Sequence, residues 1–101
     1  MASSVYKTKF RQSKIWKDFR KKMMQIQKID QLTHKKLLKG FALHHLDMSA
    51  ENYKDLNPNK FRCLNKQSHE CVHFLFRYYV KDRDVLKRLK KILDEMLEYN
   101  S

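Results

Sequence analysis

The sequence predicts an α+β fold that is mostly helical, and three observations carry that prediction. Apolar residues recur at spacings of three and four over Ile15, Trp16, Phe19, Met23 and Ile26, the pattern of an amphipathic helix. The same pattern returns over Val85, Leu86, Leu89, Ile92, Leu93, Met96 and Leu97. Between Asp30 and Ala50 the helical periodicity fails. There the only glycine, Gly40, precedes Phe41, Leu43 and Leu46, where short extended segments are expected.

Taken in order, residues 1–12 are polar and basic, with Lys7, Lys9 and Arg11, and read as an N-terminal arm that orders only on contact. The first helix starts after Ser13, whose hydroxyl suits an N-cap. Its face away from the apolar stripe carries Lys14, Lys17, Lys21 and Lys28, with Asp18 the only acid between Ser13 and Ile29. A solvated face would explain that stripe, but its lack of balancing acids favours phosphate contact. Residues 41–45 read as a strand. The stretch SAENYKDLNPNK, with the only proline and three asparagines, reads as a loop.

A second helix is expected from Asn65, an N-cap candidate, through KQSHECVHFLFRYYV. Its nearly all-round apolar content predicts the most buried helix of the fold. A third spans about 84–99, with Asp84 as N-cap. Its first half carries Lys87, Arg88, Lys90 and Lys91, and its end carries Asp94, Glu95 and Glu98. That order opposes the helix macrodipole, and packing is its expected role. Trp16, Phe74, Phe76, Tyr78 and Tyr79 are expected in the core rather than stacked on bases.

Charge narrows the function. Lys plus Arg number 23 against 11 Asp plus Glu, a net charge of +12 on 101 residues. A field of that sign attracts polyanions, and nucleic acid is the expected partner. No apolar run approaches the length of a membrane span and the N-terminus lacks a signal-peptide core, so no membrane partner and a cytoplasmic location are expected. Cys63 and Cys71 form neither a CxxC knuckle nor a disulfide framework, so reduced, partly buried thiols are expected.

Five histidines fall between positions 34 and 73. His69 and His73 lie four apart on an expected helix, which sets two imidazoles on one face, one turn apart, as a shared metal ion requires. His44 and His45 are adjacent on an expected strand, where neighbouring side chains point to opposite faces; only a bulge or a strand end brings both to one site. Surface or core filling is the commoner use of either pair taken alone. His34, in a lysine-rich stretch, reads as exposed.

The order of these residues resembles a known family. Leu43-His44-His45-Leu46-Asp47, then a turn with asparagines, then Phe61-Arg62-Cys63-Leu64, then His69-Glu70-Cys71-Val72-His73 resembles the motif of the HNH (His-Me finger) endonucleases. The likeness covers roughly residues 30–76. Asp30-Gln31-Leu32-Thr33 and Lys39-Gly40-Phe41 are similar to the lead-in of phage-encoded members, and the HxxxH helix is closest to the colicin nucleases. The resemblance implies a ββα-metal core at about 38–78, braced by the N-terminal and C-terminal helices within a single domain at 13–101.

It further implies His45 as general base, His44 and His69 as metal ligands, and His73 as a second helix ligand of the colicin type. The family's middle asparagine falls on Lys60 by count. Asn59 is taken for that role on a one-residue shift, with Asn57 as the alternative. Asp47 either supports the site, by orienting a ligand or adding an oxygen ligand, or is a solvated turn aspartate.

The implied cofactor is one divalent ion: Zn2+, Ni2+ or Mn2+ with three imidazoles bound, Mg2+ or Mn2+ if waters replace His73. No structural zinc is expected, because the flanking CxxC pairs are missing. The implied activity is hydrolysis of DNA, RNA not excluded, to 5′-phosphate and 3′-hydroxyl ends by a monomer or homodimer, one strand per site. Lys14, Lys17, Lys21, Lys28, Lys35, Lys36 and Lys39 are the expected nucleic-acid contacts. The alternative is a catalytically inactive HNH-fold nucleic-acid-binding or phage accessory protein.

Overall fold

A computed structural model of the chain describes residues 4–47, 49 and 54–101. Among them the architecture is α+β, predominantly helical, with one two-stranded antiparallel sheet. In chain order the elements are α1 (Ser4–Gln12), α2 (Lys14–Gln27), β1 (Ala42–His45), a 3-10 turn (Pro58–Lys60), β2 (Phe61–Leu64), α3 (Lys66–Lys81) and α4 (Val85–Asn100). Internal contacts divide the chain into two compact units, Met1–His69 and Glu70–Ser101. The division falls inside α3, which is helical across it.

The N-terminal segment departs from the sequence expectation, since Ser4–Gln12 is a helix rather than an arm. Among the described side chains, Phe10 anchors this helix. The Phe10 ring sits 5.7 Å from Trp16, and its carbonyl accepts bonds from both the N–H and the hydroxyl of Ser13. One contact of this kind leaves no periodic trace. Ser13 also caps α2 as expected, its hydroxyl accepting from the Trp16 N–H.

The sheet is a hairpin with Ala42 opposite Leu64, Leu43 opposite Cys63, His44 opposite Arg62 and His45 opposite Phe61. Strand side chains alternate between faces. One face carries Leu43, Phe61 and Cys63 into a core with Trp16, Phe19 and Met23 of α2, joined by Leu37 and Phe41. Ile15 and Ile26, read as part of the α2 stripe, are exposed. Gly40 has φ +82° with open space around its α-carbon, so the left-handed backbone leading into β1, not crowding, calls for glycine there.

The outer edge of β2 is sealed by the Gln27 side chain and the Gln31 backbone. Gln27 Nε2 donates to the Phe61 carbonyl and its Oε1 accepts from the Cys63 N–H, while the Gln31 N–H donates to the Cys63 carbonyl. These bonds do the work of a third strand along β2 and occupy backbone groups that would otherwise be open there. Midway along α2, an Arg20 Nη donates to the Phe41 carbonyl while its guanidinium lies 3.8 Å above the Phe41 ring.

Three further expectations are corrected. The helix taken for the most buried has only Ser68 buried, and Phe74, Phe76 and Tyr78 are exposed rather than in the core. No residue of α4 is fully buried, and Val85 and Leu89 are partly buried. Composition misled here because an all-round apolar helix is ambiguous between a core element and one awaiting a partner. Asp84 precedes α4 in helical conformation without a side-chain cap bond, its carboxylate lying 3.6 Å from Lys87. No described helix is long and apolar enough to cross a membrane; residues 1–3 of the expected arm, residue 48 and residues 50–53 of the expected loop lie outside the described residues.

Candidate metal centre

His44 leaves β1 on the face away from the aromatic core, the face it shares with Ala42, Arg62 and Leu64. It is 8% exposed. The start of α3 lies against this side, where the rings of His44 and His69 are 5.3 Å apart at 72°. His73 follows one turn later on α3. Ligand nitrogens of His44, His69 and His73 all lie within 4.8 Å of one another.

Those residues fit a cation. Around Zn2+ at about 2.0–2.1 Å, tetrahedral nitrogens stand roughly 3.4 Å apart, a spacing inside the 4.8 Å that bounds these nitrogens. Three neutral imidazoles form a donor set suited to a borderline metal. The three histidines therefore lie close enough to hold one ion.

What fixes α3 against the hairpin is a set of buried polar groups. Asp30 is fully buried. Its Oδ1 accepts from the Leu32 and Thr33 N–H groups, its Oδ2 from the Asn65 N–H, and the Ser68 hydroxyl also donates to it. Burial pushes this carboxyl up, but the bonds from Thr33, Ser68, Asn65 and Leu32 outweigh it and hold the pKa at about 2. Asn65 sits at the N-terminus of α3, with its carbonyl accepting from the His69 N–H. Its side chain is turned elsewhere, accepting from the Leu38 N–H and donating to the Lys36 carbonyl. The 36–38 segment, Asp30 and the first turn of α3 are thus tied into one unit directly beside His69.

His45, the last residue of β1, lies on the other face. Its ring stacks on Trp16 at 5.5 Å and 4° and stands 4.7 Å from Phe61. It is therefore at a strand end, one of the two arrangements that let neighbouring histidines approach a common site, but outside the three-histidine group.

Asn59 is exposed in the 3-10 turn. Its N–H donates to Asn57 Oδ1 and its carbonyl accepts from Arg62. Lys60 donates to the Asp55 carboxylate at 2.8 Å, and this bond holds its ammonium above the ordinary range. Asp47 accepts from the Ser49 N–H in a turn and is not one of the grouped ligands.

Lys14, Lys17 and Lys21 lie exposed on α2 opposite its buried side. Lys28 is the left-handed residue ending that helix. Lys35, Lys36 and Lys39 are exposed on the segment before β1, and His34 there is exposed as expected. Cys63 is buried and Cys71 exposed, both free; burial pushes the Cys63 thiol up, with Arg20 opposing weakly.

No family profile, curated protein or solved structure matches this chain. The site stands on its own geometry.

Asp30, Asn65 and Gln27 were missed as site-building residues. Each acts on backbone 34–36 positions away or nearly so, and no local pattern marks such pairings. The one available signal was an acid in a stretch otherwise rich in lysine.

Proposed function

We propose that this chain is a metal-dependent endonuclease of the HNH type that hydrolyses DNA phosphodiester bonds, nicking one strand per site. The observation that carries the reading is the convergence of His44 from a hairpin with His69 and His73 from the following helix. The order of hairpin and helix is that of a ββα-metal motif, and the exposed lysines of α2 and 35–39 supply a cationic surface for the duplex backbone.

In this reading His44, His69 and His73 hold the ion. When bound, it supplies positive charge for the phosphate and the departing 3′ oxygen. His45 is the general base. Its neutral ring, oriented by Trp16 and Phe61, takes a proton from water as the water oxygen bonds to phosphorus and the P–O3′ bond breaks. The 3′ oxygen leaves with the bonding pair and is protonated from solvent, giving 5′-phosphate and 3′-hydroxyl ends. Asn59 is assigned to orienting the base. Three imidazole donors favour Zn2+, Ni2+ or Mn2+ over Mg2+. The likeness to phage-encoded members suggests a phage origin.

A second reading is a nucleic-acid-binding or phage accessory protein of this fold without hydrolysis. It is favoured by the engagement of Asn59 through its backbone and by the Lys60–Asp55 pair at the family's asparagine slot. A supercoiled-plasmid nicking assay with each of the four metals separates the two, with an RNA substrate run alongside. The endonuclease predicts nicking that falls about 10²–10⁴-fold in His45→Ala while DNA binding is kept. Equal background from both proteins overturns hydrolysis.

A further inference from the structure

The exposed apolar face of α4 is a feature of the Glu70–Ser101 unit that the metal site does not use. Val85, Leu89, Ile92 and Met96 follow one another at spacings of four, three and four, the repeat of a helix that packs along another helix. Leu86 and Leu93 flank this line. Ile92, Leu93, Met96 and Leu97 are all about half exposed or more, Val85 and Leu89 are partly buried, and α4 has no fully buried residue. A helix this apolar on one side is stabilised in water mainly by packing that side.

The charge order identifies the occupant. The first half of α4 carries Lys87, Arg88, Lys90 and Lys91, and the second half carries Asp94, Glu95 and Glu98. A polyanion or an anionic membrane would be repelled by the acidic half. A parallel copy would set like charges side by side. An antiparallel copy sets each cationic half along an anionic one.

Arg88 and Glu95 are seven residues apart, so they lie on the same flank of the stripe. In a two-fold pair that flank meets its own copy, and Arg88 faces Glu95 of the partner subunit, twice by symmetry. Among the described residues Glu95 and Glu98 have no ion-pair partner, and Arg88 meets Asp82 only at the surface. A guanidinium has donors enough for both carboxylates.

We propose that two copies of this chain associate through antiparallel pairing of their α4 helices. Sixteen residues make a contact about 24 Å long, short for a standard interface, so the dimer is expected to dissociate in the micromolar range. The pairing is independent of what the three histidines bind.

The test is sedimentation equilibrium of the full chain from about 1 to 200 μM. The mass should rise from 12.4 kDa toward twice that value. Ile92→Glu changes an exposed residue, so the fold is expected to survive, checked by circular dichroism, while the dissociation constant rises at least about tenfold. Glu95→Arg should weaken pairing several-fold, and the double variant Arg88→Glu with Glu95→Arg should restore it, because the exchanged charges meet again across the two-fold axis.

A monomer at every concentration overturns the proposal. So does a dimer indifferent to Ile92→Glu, or one in which the double variant is no better than Glu95→Arg. A monomer that sediments with phosphatidylcholine–phosphatidylserine vesicles, and ceases to do so in Ile92→Glu, assigns the face to lipid and overturns it equally.

Discussion

Replacing Asp30 by asparagine removes the charge that ties the start of α3 to the hairpin. The wild-type carboxyl is held at about 2 against an ordinary 3.8. At about 1.4 kcal/mol per pH unit, that interval is worth about 2.5 kcal/mol of folding free energy. The sign follows from the direction. The native carboxyl binds its proton less readily than the unfolded one, so the stabilisation is present in full above the unfolded pKa and is lost as pH falls toward 2. The variant lacks it at every pH, and its amide turns one acceptor into a donor facing backbone N–H groups.

A loss of about 2–4 kcal/mol at pH 7 is therefore expected. Trp16, the only tryptophan and buried in the same unit as Asp30, reports the transition directly. Urea unfolding followed by its fluorescence, at pH values from 7 to 2, measures both quantities. The wild type should lose about 2 kcal/mol from this group between pH 5 and 2, the remainder going below pH 2, and Asp30→Asn should lack that component. A variant within about 0.5 kcal/mol of wild type at pH 7, or one with the same acid-range decline, refutes the reasoning.

Two other outcomes are expected. In the native protein a thiol reagent should label Cys71 rapidly, with Cys63 reacting only on unfolding, since Cys63 is buried and its thiol pushed up; equal labelling rates by mass spectrometry would contradict the burial. Lys17→Glu with Lys21→Glu should weaken duplex DNA binding and lower the slope of log affinity against log salt by about one for each phosphate that the variant no longer neutralises. Unchanged affinity and slope would remove α2 from the DNA surface.

The parts of this fold legible in the sequence are those fixed by local pattern. The α2 cap at Ser13, the strand after Gly40 and the two long C-terminal helices follow from periodicity, a capping hydroxyl and a lone glycine. The histidine spacing on α3 was legible for the same reason, because four residues on a helix is a distance in space. Whether His44 reaches that helix was not, since it depends on the hairpin register and on Asp30, Gln27 and Asn65 bonding to distant backbone.

Burial was the other failure. Phe74, Phe76 and the 92–97 half of the α4 stripe have core composition, yet they are exposed. Hydrophobicity states that a face needs covering without naming the cover. The helix at 4–12 escaped because the anchor described for it, Phe10 against Trp16, makes no periodic pattern.

Calorimetric titration of the full chain with Zn2+ tests the shared site of His44, His69 and His73 most directly. The account predicts one ion per chain, no binding at that site in His69→Ala, and a Trp16 unfolding transition raised by about 2.7 kcal/mol at a free-metal concentration a hundred times the dissociation constant. The absence of saturable binding, or a one-to-one isotherm that survives both His44→Ala and His69→Ala unchanged, would contradict it.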